Sequence, residues 1–210
     1  MDVKNFSFST FSKLAEDGIS QSLKQLTPNG AKPIFICIGS DLVLGDSLGP
    51  LVGTMLKSRG AKSYVYGTLN FPITAKEVEH AGKHLKQMHP NAISIAIDAA
   101  VGNANDVGLI RVCDRGLKPG LGVNKDLGVV GDLSIIAIVA AKSLQNTHLF
   151  NLTRLNLVYK MAETITKGIE KYISHITSCA QIDNGFCLNE NIKISSAVWF
   201  SAYFYKHYIL

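Results

Sequence analysis

Ile38-Gly39-Ser40-Asp41-Leu42-Val43-Leu44-Gly45-Asp46-Ser47-Leu48-Gly49-Pro50 is the stretch that decides the fold. It follows the apolar run Pro33-Ile34-Phe35-Ile36-Cys37-Ile38, which reads as a buried strand. It precedes Leu51 to Lys57, which reads as a helix. A glycine-rich turn thus joins the carboxyl end of a strand to a helix N-terminus, with Asp46 at the mouth. In open α/β sheets, ligands and chemistry gather at the carboxyl ends of strands. An acidic side chain there is a candidate catalytic group or metal ligand.

Working outward, the same alternation repeats. Ser63 to Gly67 reads as a second strand. A helix starts at Thr74 with Glu77 three residues on, a capping-box pattern, and ends before His89-Pro90. Ala92 to Ile97 is a third strand, and Gly108 to Asp114 a fourth. The fourth follows after only a short loop, so it is expected to pair antiparallel at an edge. A Gly-rich loop spans 116–131, and Asp132 is placed to cap a helix over Leu133 to Ala141. Ser143 to Phe150 reads as a further strand. A long helix then runs to Tyr172, with Leu155, Val158, Ala162, Ile165, Ile169 and Tyr172 at helical spacing.

Strands alternating with helices define an α/β domain, a three-layer sandwich around a mostly parallel sheet with an antiparallel edge strand. The expected organisation is a peripheral segment over 1–30, one α/β domain over 31–173, and an extension over 174–210 packed on it. Within the first segment, Phe11 to Leu26 reads as an amphipathic helix, stopped by Thr27-Pro28-Asn29-Gly30. The extension ends in the aromatic-rich run from Ala197 to Tyr205.

At 210 residues with 47% hydrophobic and 18% charged content, the chain can bury a full core, and disorder is excluded. Apolar runs such as Leu133 to Ala141 fall short of the roughly 18–20 residues a membrane-spanning helix needs. The N-terminus lacks the basic start and apolar core of a signal peptide, so a cytoplasmic protein is expected. The net charge of +5 comes from scattered lysines without a block or recognition motif, so no nucleic-acid partner is expected. Cys37 and Cys113 fall in strands and act as small apolar residues. Cys179 and Cys187 lack CxxC spacing, so neither a zinc site nor a structural disulfide is expected.

The second candidate is Asp98, in Ile95-Ala96-Ile97-Asp98-Ala99-Ala100-Val101-Gly102. An aspartate ending a buried strand is costly unless it is hydrogen-bonded or functional. The first and third strands of such a sheet end on the same rim, so Asp46 and Asp98 can converge. Two close carboxylates push each other's pKa apart, and one then holds a proton while the other acts as base. They can instead share a divalent metal ion, with Asp126 as a third carboxylate. Lys125 would set a positive charge beside them, and Ser40 and Thr68 are candidate site-lining residues. The bland reading is that each aspartate only caps a helix or closes a turn. His80 and His84 share a helix face, but the segment around them is polar and reads as solvated. The turn has neither a P-loop ending nor G-x-G-x-x-G, and no serine sits in G-x-S-x-G.

The turn ending in Asp46-Ser47-Leu48-Gly49-Pro50, with Ile97-Asp98-Ala99, resembles the germination proteases of spore-forming bacteria. Those enzymes degrade small acid-soluble spore proteins. The span from Lys32 to Tyr172 is closer to the YyaC-type sporulation proteins related to them. The Val-Gly-Asp-Leu-Ser-Ile run at 130–135 and the Asn-Leu-Thr-Arg-Leu-Asn-Leu-Val run at 151–158 carry that narrower match. More remotely, the turn resembles the hydrogenase maturation proteases. In those, a glutamate at the position of Asp46, an aspartate at Asp98 and a histidine at Asp126 bind the nickel of the substrate.

The resemblance implies a phosphorylase/hydrolase-like sandwich and an aspartic-type endopeptidase that needs no cofactor. Asp46 and Asp98 would be its catalytic pair, and N–H groups at the following helix N-terminus would hold the oxyanion. The implied partner is a protein substrate in the forespore or spore interior, with small acid-soluble spore proteins as examples; an oligomer is left open. Ser40 replaces the asparagine usual in germination proteases, Asp126 replaces the nickel-binding histidine, and the chain is much shorter than a germination protease. The alternative is a non-catalytic sporulation protein that keeps the protease fold and binds a spore protein.

Overall fold

The computed structural model describes residues 4–119, 128–142 and 153–183. The elements are β1 (Asn5–Ser9), α1 (Ala15–Leu26), β2 (Lys32–Cys37), α2 (Leu48–Ser58), β3 (Tyr64–Tyr66), α3 (Val78–Met88), β4 (Ala92–Gly102), β5 (Leu109–Cys113), β6 (Leu133–Ala141) and α4 (Leu155–Asp183). The chain divides into one compact unit over Met1–Thr177 and a second over Ser178–Leu210. Of the second, only the end of α4 lies within the described residues. No helix among the described residues is long and apolar enough to cross a membrane.

Among the described residues, six strands form one sheet in the order β1-β5-β6-β4-β2-β3. β3, β2, β4 and β6 pair in parallel, and β5 is antiparallel to both β6 and β1. Only β5 therefore runs against the rest, and the expected α/β class with a mostly parallel sheet holds. The edge strand that pairs antiparallel is β1.

Side-chain alternation sorts the core into two faces. Phe35, Cys37, Val65, Ile95, Ile97, Ile110, Val112, Leu133, Ile135, Ala137 and Val139 point to one face. There they pack with Ile19 and Leu23 of α1, Leu48, Val52 and Leu56 of α2, and Val158, Met161, Ile165, Ile169 and Tyr172 of α4. The other face carries Ile34, Ile36 and Tyr66, with Val78, Ala81 and Leu85 of α3 buried outside that first cluster. Each fully buried Leu or Ile contributes about 1.5–3 kcal/mol by leaving water.

Three expectations are corrected. Leu133 to Ala141 is not a helix capped by Asp132; it is β6, inserted between β4 and β5. A strand buried on both faces needs a near-continuous apolar run, and this run has no period to separate it from a buried helix. Asp132 instead pins the start of β6: its Oδ2 accepts from Ser94 N at 2.8 Å and Ser94 Oγ at 2.7 Å. The 109–113 strand is antiparallel as expected but not at an edge, because β1 lies outside it. Within residues 1–30, read as peripheral, Asn5–Ser9 joins the sheet and α1 enters the core. Phe6 and Phe8, alternating with Asn5, Ser7 and Ser9, are the period-2 signal for β1.

The 143–150 strand expected from sequence lies outside the described residues, as do the side chains of Cys179 and Cys187. Cys37 and Cys113 are buried free thiols, and burial pushes the Cys37 thiol up to about 12.

Removing the Asp132 carboxylate should cost about 1–2 kcal/mol, since it leaves the Ser94 N–H and hydroxyl without their acceptor. Urea unfolding of Asp132→Ala should show a lower midpoint. If Asp132 were only a solvated loop residue, the midpoint would not move.

Candidate active site

The site is built where β2 ends and β4 does not. Cys37 pairs with Ile97 in the last β2–β4 register position. Ile38 N still donates to Ile97 O at 2.8 Å, and Gly39 N then donates to Ile73 O at 2.9 Å. The chain after β2 has turned toward the segment that follows β3. β4 runs on to Gly102 with β6 beside it, Asp98 opposite Ile136. Asp98 therefore lies inside a longer strand than expected, one residue past the point where β2 leaves it. It reaches the rim because its neighbour stops.

Strand order explains why this rim is the place for chemistry. From β2 the chain crosses to β3 on one side, and from β3 it returns to β4 on the other side of β2. Connections that diverge in this way open a crevice between the two strands, the switch point at which doubly wound sheets bind ligands. Asp46 hangs over it from the loop after β2.

Glycines make that loop possible. Gly39 has φ of 141°, and a Cβ there would stand 2.0 Å from Asp46 O. A Cβ on Gly49, in the first turn of α2, would stand 2.0 Å from Ile38 O. The helix N-terminus thus sits directly on the strand end. Ser40 Oγ accepts from Leu42 N at 3.2 Å, and Ser47 Oγ donates to Leu44 O at 2.7 Å, which fixes the turn between them.

Asp46 and Asp98 are both half-buried. Burial raises Asp46 above the usual carboxylate range, opposed by the Ser40 backbone N–H that it accepts. Asp98 is raised well above the ordinary value, first by burial and then by the charge of Asp46. Ala99 N donates to Asp98 Oδ1 at 2.8 Å, which only partly offsets this. Each carboxyl therefore keeps its proton to higher pH than a lone solvated aspartate would, Asp98 the more so because the charge of Asp46 adds to its burial.

The other candidates separate. Ser40 belongs to the site through its backbone. Thr68 is buried in the loop after β3, where its Oγ1 accepts from Phe71 N at 3.2 Å and closes that turn. His80 and His84 are exposed on α3. Lys125 and Asp126 lie outside the described residues. Among the described residues no three His, Cys, Asp or Glu groups come together as a metal set. Sequence reasoning missed how the 68–73 loop is tied to the site through Ile73 and Gly39, and how Leu69 N donates to Thr54 Oγ1 of α2 at 2.9 Å.

The fold defines a mixed α/β protein with Asp46 and Asp98 as candidate site residues at its switch point. The chain belongs to the family described as "Protein of unknown function (DUF1256)", which matches residues 8–168. It is 40% identical to the uncharacterized protein YyaC of Bacillus subtilis (strain 168) over 152 residues, 72% of this chain and 73% of that one. The expected kinship with YyaC-type proteins is therefore correct. Among solved structures, the NiFe hydrogenase maturation protease HycI from Thermococcus kodakarensis KOD1 aligns over 72% of this chain and 98% of its own, with a TM-score of 0.49 and 18% identity.

A carboxyl with a raised native pKa costs stability once the unfolded state ionises. That cost is absent below the unfolded value, about 3.9. It grows as pH rises through that value toward the native one. Asp98→Asn keeps the acceptor for Ala99 N and removes the charge. Its Tm should exceed that of the parent at pH 7, and the gap should close near pH 4. A variant less stable than the parent at pH 7 would contradict the raised value.

Proposed function

We propose that this chain is a peptidase-type hydrolase that cleaves a protein substrate with the Asp46–Asp98 pair during sporulation or germination. The observation that carries the reading is two half-buried carboxyls at the switch point, both raised by burial, with the charge of Asp46 raising Asp98 further. The likeness of the turn and of Ile97-Asp98-Ala99 to germination proteases supports it.

The roles follow from the environments. Asp98, raised further, keeps the proton and acts as general acid toward the leaving amine. Asp46, supported by the Ser40 N–H, is ionised first and takes a proton from the attacking water. Attack on the scissile carbonyl gives a tetrahedral oxyanion. The first N–H groups of α2 have no partner within the helix and carry its positive dipole end. Leu48 and Gly49 can supply them, whereas Pro50 has no N–H. Collapse of the intermediate expels the amine as Asp98 protonates it. The substrate class suggested by the resemblance is the small acid-soluble spore proteins, met in the spore interior.

The test incubates the full chain with those spore proteins, with and without chelator, and reads fragments by mass spectrometry. Defined fragments are expected, reduced about 10²–10⁴-fold in Asp46→Asn and in Asp98→Asn. The rate should fall on the alkaline side only above the ordinary carboxylate range, as the Asp98 proton is lost. Cleavage that persists in both variants would sink the reading. Folded protein that binds but never cuts would make the chain a non-catalytic binder.

A further inference from the structure

The segment that follows β3 belongs to no helix or strand, yet it is tied down along its length. Thr68 and Phe71 exchange backbone hydrogen bonds, Thr68 N to Phe71 O at 3.0 Å and Phe71 N to Thr68 O at 3.1 Å, which close the 68–71 turn. Further on, Ile73 bridges Ile38 in parallel, and Ile73 O accepts from Gly39 N at 2.9 Å. A side chain of α2 holds the turn from outside. The Thr54 hydroxyl donates to Pro50 O at 2.8 Å and accepts from Leu69 N at 2.9 Å.

Threonines within helices often turn the hydroxyl back on the carbonyl four residues earlier, and that bond leaves the lone pairs of the oxygen free. Here they take the N–H of another segment. The bonds close a ring: from Thr54 to Leu69, along the chain to Ile73, across to Gly39, and through the 40–47 loop back to α2. Asp46 lies in that loop, and its carboxyl accepts from the backbone N–H of Ser40, the residue after Gly39. Asp98 lies outside the ring, on a strand held by its pairing with β2 and β6. The placement of Asp46 against Asp98 therefore depends on how firmly α2 and the 68–73 segment are joined. Among the described residues, Thr54 is the α2 side chain that hydrogen-bonds this segment.

We infer that Thr54 is a positioning residue of the site, its hydroxyl latching α2 to the 68–73 segment and so setting where Asp46 stands relative to Asp98. It acts through Asp46 and has no part in the bond changes. The inference rests on the peptidase reading for its effect on rate alone; the placement holds whatever the site does. Thr54→Val removes both hydrogen bonds at nearly unchanged volume and leaves Leu69 N–H without its acceptor. Thr54→Ser keeps the hydroxyl.

The test separates placement from cleavage. Asp98 is raised first by burial and then by the charge of Asp46, so the second contribution reports how close the two stand. Carbon-13 NMR of the full chain follows the Asp98 carboxyl through a pH titration, in the parent and with Asp46→Asn, Thr54→Val and both. Asp46→Asn should lower the Asp98 midpoint. Thr54→Val should lower it too, and should shrink the further drop that Asp46→Asn brings, while Thr54→Ser should keep the midpoint of the parent. Circular dichroism confirms folding, and Thr54→Ala makes the same deletion should the valine variant not fold. On the spore proteins, kcat should fall about ten- to a hundredfold in Thr54→Val with KM little changed, as expected when a reacting group is misplaced. A lower Tm with the Asp98 midpoint, and its response to Asp46→Asn, the same as in the parent would make Thr54 merely structural and overturn the inference. A parent that never cleaves, with Asp98 responding to Thr54→Val as expected, would uphold it while removing the peptidase reading. A parent that cleaves, with kcat and the Asp98 midpoint indifferent to Thr54→Val, would do the reverse.

Discussion

Backbone meets backbone at the carboxyl end of β2, and the site depends on that closeness. A Cβ on Gly53 of α2 would stand 1.9 Å from Gly67 O, and one on Gly67 would stand 1.9 Å from Cys37 O. With Gly39 and Gly49, these glycines let α2 and the end of β3 close on the last turn of the β2 strand without a side chain between them. A side chain at Gly49 or Gly53 would meet backbone oxygen at 2.0 and 1.9 Å, which would lift the N-terminus of α2 and the Asp46 loop off the rim. Glycine in a helix interior costs about 1 kcal/mol relative to alanine, and α2 carries Gly53 there all the same. The position of Asp46 relative to Asp98 is what that cost secures.

The electrostatics rest on the same closeness. An aspartate facing solvent would lose its proton near its ordinary value and ignore its neighbours. Asp98 stands where β2 has just left and β6 still pairs, and its burial there raises it well above the ordinary value. Asp46 brings the second charge, and the backbone N–H groups of Ser40 and Ala99 give each carboxyl one donor. These donors only partly oppose the burial that raises both carboxyls.

Much of this was legible in the sequence, and the rest was not for definite reasons. The strand, turn and helix over Pro33–Ser58 could be read because an apolar run, a glycine cluster and a helical segment follow one another in order. Both aspartates could be picked out because carboxylates beside buried strands are expensive. β6 could not be told from a helix, since its apolar residues leave no period to measure. β1 was hidden among serines, with only Phe6 and Phe8 to mark it. Strand order and register are properties of distant pairs. No local pattern reveals that Asp98 lies within β4, that Asp132 binds Ser94, or that Thr54 binds Leu69. Asp126 and Lys125 fall outside the described residues, so their part in the site stands as an expectation.

The arrangement of α1 and α4 bears on how the chain comes to be folded at all. Ile19 of α1 packs where a Cβ on Gly168 of α4 would stand, 2.8 Å away, and Lys171 reaches Glu16 and Asp17 at 3.1 and 2.8 Å. The first helix made is thus seated by α4, while the first strand waits for β5. During synthesis, at about 5–20 residues per second, that leaves on the order of ten seconds in which the part of this face that α4 covers is bare, with only α2 in place beside it. A nascent chain in that interval shows a broad apolar surface to its surroundings. Its yield in the cell then depends on what shields that surface until α4 emerges, as well as on the stability of the finished fold.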